Sequence, residues 1–120
     1  MKIYFDTKKL QKQCSKQQEM VKVFGQRMSD KIRQRLFELE AAVALSDISR
    51  LPPARCHELV NRRSVFSVDL DYPFRLLFIP ANDPIPQKKD GGIDREQVTE
   101  IEIIGIEDTH DPKNQRRGSR

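Results

Sequence analysis

The sequence has no run of about 18 apolar residues, the length a helix needs to cross a bilayer. Its first residues, MKIYFDTKKL, lack the apolar stretch of a signal peptide, so neither export nor membrane insertion is expected and a cytoplasmic location is. Cysteine is scarce. Cys14 and Cys56 stand far apart without metal-ligand spacing, which suits two buried thiols better than a disulfide or a zinc site. No internal repeat or low-complexity segment appears, so a repeat array is not expected. What is present, 120 residues with 37% hydrophobic and 33% charged, suits one domain around one core. The net charge of +4 hides an asymmetry, with fourteen Lys and Arg against seven Asp and Glu in residues 1–63, and four against eleven in residues 64–111. A basic front end with Arg55, Arg62 and Arg63 can meet phosphates, although most single lysines there read as a solvated helix face.

MKIYF reads as an opening strand, and Asp6 or Thr7 caps the helix that follows. Leu10, Cys14, Val21 and Phe24 form one helical stripe that Gly25 closes, so a first helix is expected over residues 7–24. A second begins near Gln26 to Ser29 and carries Met28, Ile32, Leu36, Leu39 and Val43 on one face, completing a helical hairpin. Pro52 and Pro53 end the periodicity. The period then changes from 3.6 to 2: Phe66, Val68 and Leu70 alternate with polar residues, DYP reverses the chain, and FRLLFI follows as a second strand. Residues 80–96, rich in Pro and Gly, are expected to be a mobile loop, and a last strand covers about Val98 to Ile106. The order β-α-α-β-β-β predicts an α+β fold, a small antiparallel sheet packed on one side by the helical hairpin. Past that strand, GIEDTHD presents Asp108 and His110 two residues apart, on one face and about 7 Å apart if the backbone stays extended.

LPPARCHELVNRRSVFSVDLDYPFRLLFIP followed by EIEIIGIEDTHD resembles the RelE/ParE superfamily of bacterial toxins, and within it the HigB-like killer proteins of type II toxin-antitoxin systems. The matching positions are His57 and Leu59, Arg62 and Arg63, Phe66 and Ser67, Arg75, and the terminal Asp108 and His110. The resemblance covers residues 2–111, residues 1–111 are taken as the toxin domain, and a basic tail, residues 112–120, is expected to be disordered. It implies a RelE-like fold and an endoribonuclease, an mRNA interferase cutting message at the ribosome, held inactive by a cognate helix-turn-helix antitoxin through which it meets operator DNA only indirectly. It implies no metal and no cofactor, and the lack of a long apolar run leaves no membrane partner expected.

RNA can be cut without a metal when its 2′-hydroxyl attacks the adjacent phosphorus, if groups take one proton, stabilise the added negative charge and protonate the leaving oxygen. His110 is the first candidate for proton transfer, because imidazole titrates near neutral pH. Asp108 would orient it, Arg75 would hold the phosphate in its planar fork, and Arg62 and Arg63 would add phosphate contacts. Arg75 alternates with Phe74, Leu76 and Phe78, so it leaves on the opposite face, where an ion pair with Asp69 or Asp71 is the competing reading. His57 reads as a structural histidine. Two positions depart from the family pattern. Val60 stands where a lysine is common, and arginine, with a pKa above about 12, replaces its charge without its proton transfer. Thr109 stands where an aromatic often stacks on a base. The rival reading is a binding protein of the same fold, a ParE-like gyrase inhibitor or a degenerate toxin kept as an antitoxin-binding co-repressor.

Overall fold

The computed structural model describes residues 1–109. It is an α+β fold of five strands and three helices: β1 (Lys2–Phe5), α1 (Lys8–Ser15), α2 (Gln17–Phe24), α3 (Gln26–Ala41), β2 (His57–Glu58), β3 (Phe66–Asp69), β4 (Phe74–Pro80) and β5 (Glu100–Asp108). The sheet order is β1-β5-β4-β3-β2. The expected antiparallel sheet is in fact mixed, because β1 pairs with β5 in parallel, Ile3 opposite Ile101 and Phe5 opposite Ile103. The N-terminal strand thus closes one edge and β2 the other.

Local chemistry accounts for most of the helical layer. The Thr7 hydroxyl accepts a hydrogen bond from the Leu10 amide (3.1 Å), capping α1. The single helix expected over 7–24 is two, since Lys16 is extended (φ −107°, ψ 114°) and ends α1. No Gly or Pro marks that break. It turns the next segment so that Met20 is buried and Phe24 packs on the core, a case of packing overriding helix propensity. Gly25, at φ 82° and ψ 166°, joins α2 to α3 in a conformation essentially reserved for glycine. Helix α3 buries Ile32 and Leu39, but it ends at Ala41, so Val43, expected on the same face, is 78% exposed. The N-terminal ammonium bonds to the Leu39, Glu40 and Ala42 carbonyls at that helix end, where positive charge is favoured.

The helices cover one face of the sheet. Leu10, Met20, Ile32 and Leu39 pack against Phe66, Val68, Leu76, Phe78, Ile101 and Ile103. A one-residue bulge keeps β5 in this layer: Phe78 faces Ile103 but Leu77 faces Gly105, leaving Ile104 without a partner. Residues 80–96, expected as a mobile loop, carry structure of their own, with a bridge from Gln87 to Ile93 before a 3-10 turn at Arg95–Gln97. Cys14 and Cys56 are buried free thiols, and burial pushes each up to about 11. Among the described residues no helix is long and apolar enough to cross a membrane.

Candidate functional site

The sheet face away from the helices is built by the pleat. Arg75 lies opposite Asp69 on one side and Glu107 on the other, and the adjacent row runs His57, Ser67, Leu77, Gly105. Neighbouring residues on one face of paired strands lie about 5 Å apart, so these two rows bring Arg75, two carboxylates and an imidazole together, and Arg55 and Arg62 reach the same carboxylates from outside the rows. Asp69 is the hub. It accepts from Nε and Nη2 of Arg55 (2.7 and 3.2 Å), and its other contact is Nε of Arg75 at 3.5 Å. Its carbonyl accepts from Nε of Arg35 (2.7 Å), a side chain only 2% exposed that also pairs with Glu38. A buried arginine from the helical layer therefore anchors the residue that holds two guanidiniums on the opposite side.

His57 is part of this cluster rather than a bystander. Its Nδ1 lies 2.9 Å from the carbonyl of Arg55, and its Nε2 lies 3.5 Å from Nη1 of Arg75. A guanidinium only donates, so Nε2 must offer its lone pair and Nδ1 must carry the hydrogen that the carbonyl accepts. Arg55 takes φ 52°, left-handed for a non-glycine residue, in the turn that aims that carbonyl. The Arg55 pKa is raised, first by its hydrogen bonds to Asp69, whereas that of Arg75 is lowered, first by burial and then by Arg55 beside it. Asp69 and Asp108 oppose that fall. Ser67, fully buried between His57 and Leu77, has no hydrogen-bond partner for its hydroxyl among the described residues.

The expected site residues divide unevenly. Arg75 emerges on the expected face, and the ion pair with Asp69 exists, while Asp71 is taken by Arg27 at 3.0 Å. Asp108 is the last residue of β5, opposite Phe74 and close enough to act on the charge of Arg75. The extended run stops there, because Thr109 lies in a turn. His110 and the tail 112–120 fall outside the described residues. Arg62 reaches the cluster, but it does so through Glu107 (3.0 Å), a residue with no place in the sequence reading. The bulge is the reason. Without it, period-2 alternation from Ile103 would turn Glu107 into the core and Asp108 toward Arg75; with it, Glu107 shares the face of Arg75. Arg63 is exposed in the turn between β2 and β3 and makes no hydrogen bond or ion pair with any described residue, and Val60 in the same turn is 96% exposed.

Chemically, the cluster offers a guanidinium fork, an imidazole of defined tautomer and internal carboxylates that hold the charge nearly balanced. No group of three His, Cys, Asp or Glu side chains among the described residues forms a metal site. Compared with protein-family models, curated proteins and solved structures, the chain matches none.

Proposed function

We propose that this protein is the toxin of a type II toxin-antitoxin system, a RelE/HigB-like endoribonuclease acting in the cytoplasm on mRNA at the ribosome. The observation that carries the reading is the meeting of His57, Arg75 and Asp69 on the sheet face free of helices, beside the strand end that leads to His110. An incoming phosphate would take the fork of Arg75, which releases Nε2 of His57 to accept the 2′-hydroxyl proton as the oxygen attacks phosphorus. The guanidinium then meets the growing negative charge, and His110 is assigned to protonate the leaving 5′-oxygen. Asp69 holds Arg55 and Arg75, and Asp108 adds its negative charge near Arg75. No metal enters this scheme. Phe37 and Val43, 73% and 78% exposed at the end of α3, supply apolar area for a helix-turn-helix antitoxin.

A second reading has its own support. Arg55 and Arg62 are already bound to carboxylates, which suits a protein of this fold that binds a partner without cutting RNA. Expression without an antitoxin separates the two. Arg75→Ala and His110→Ala should each abolish growth arrest and message cleavage; arrest that persists in both variants overturns the nuclease and leaves the binding protein.

A further inference from the structure

A second group of arginines lies round the edge strand from this cluster. His57 and Glu58 are the two residues of β2, so their side chains leave on opposite faces of the sheet. On the Glu58 side opens a cavity of about 590 Å³, walled by Arg50, Glu58, Lys88, Asp94, Arg95 and Glu96. Arg95 is half-buried, with its guanidinium 4.9 Å above the centroid of the fully buried Phe66 ring, a cation–π contact that holds the side chain against the wall. Lys88 is matched by Asp90 at 3.9 Å, and Glu58 accepts the Ser64 amide at 2.8 Å. Arg50 and Arg95 differ from Lys88 and Glu58. Neither guanidinium makes a hydrogen bond or an ion pair with any described residue, although three carboxylates stand in the same wall.

Two like charges side by side in a partly desolvated wall repel each other, and their proximity is visible in the ionisation of Arg95, lowered first by burial and next by Arg50. Both also act on Cys56, opposing the rise that burial imposes on its thiol. Such a pair is stabilised by an anion that accepts from both forks, and a phosphate, with more acceptor oxygens than a carboxylate, suits two planar guanidiniums. We propose that Arg50 and Arg95 form a second phosphate subsite, which holds the backbone of a single-stranded RNA as it passes round the free edge of β2. The naming of RNA as the carrier rests on the ribonuclease reading; the anion site does not.

The test is binding, not cleavage. A short single-stranded RNA with 2′-O-methyl groups, which cannot be cut, is titrated with the full chain by fluorescence anisotropy at several salt concentrations. Each phosphate contact removed from a single strand should lower the slope of log affinity against log salt by about 0.7. Arg50→Ala and Arg95→Ala should therefore each weaken binding several-fold and reduce the slope by that step, whereas Lys89→Ala, an exposed cation outside the cavity wall, should change neither. Arg95→Lys should keep the slope and lose affinity, since charge remains without the planar fork. Arg50 is exposed, so its variant decides the matter if Arg95→Ala does not fold. Wild-type affinity and slope in Arg50→Ala overturn RNA as the ligand of the subsite, and an equal loss in Lys89→Ala overturns the subsite itself, since it signals a diffuse positive field. Because the probe is uncleavable, failure of the nuclease reading would appear in the growth assay and leave this measurement interpretable. Inorganic pyrophosphate that protects the wild type but not Arg50→Ala against thermal unfolding, with no RNA effect, would keep the anion site and overturn RNA as its carrier.

Discussion

Asp69→Asn isolates the hub of the cluster with the smallest change of shape. Asparagine keeps one acceptor oxygen and removes the charge that Arg55 and Arg75 share. A hydrogen bond to a charged group contributes about 1.5–3 kcal/mol, but the Arg55 side chain is 41% exposed, and solvent screening takes its pair to the low end. The Arg75 contact at 3.5 Å is long and adds little. The expected loss is about 1–2 kcal/mol, or about 4–8 °C in Tm for a chain of this size. The variant also leaves two guanidiniums without their common counter-ion. Sulfate should therefore raise its Tm more than chloride at equal ionic strength, and more than it raises that of the wild type. Differential scanning fluorimetry in the two salts measures both effects. Asp71→Asn is the control: its partner Arg27 is 83% exposed, so a change of no more than about 0.5 kcal/mol is expected. An Asp69→Asn protein as stable as the wild type, or one that sulfate stabilises no more than the wild type, refutes the view that this carboxylate is the common counter-ion that holds Arg55 and Arg75 together.

Two further predictions concern the scaffold. Both buried thiols ionise near 11 in the folded chain, against an ordinary 9.0, so the unfolded state releases its protons first as pH rises. Stability is unaffected below about pH 9 and falls between 9 and 11, by about 2–3 kcal/mol per thiol at the upper end; urea melts across that range should be flatter for the Cys14→Ala, Cys56→Ala double variant, and parallel curves would refute it. Gly25→Ala meets no atom within 4 Å at the new Cβ, yet the backbone there disfavours any side chain, so a loss of about 1–3 kcal/mol is expected from denaturant unfolding and a neutral result would show that the α2–α3 joint relaxes.

Amino-acid pattern alone was enough for the α+β class, the hairpin of β3 and β4, the face on which Arg75 emerges and the burial of both cysteines, because each follows from a local period or a local composition. It was not enough for the break at Lys16, where no residue type interrupts the helix and only the burial of Met20 decides the direction. The same holds for β1 beside β5, a pairing between the two ends of the described chain. His57 looked structural because it precedes the basic residues of the family pattern in a segment that reads as half-buried; the ladder to Ser67 is what turns it toward Arg75. Glu107 and Asp108 exchange faces at a single bulge. Alternation along a strand is a local rule that predicts facing only while the register is unbroken, and an extra residue opposite Leu77 and Phe78 is decided by how two distant strands pack on one core. The sequence thus supplied the reactive groups, and the tertiary structure decided which of them share a face.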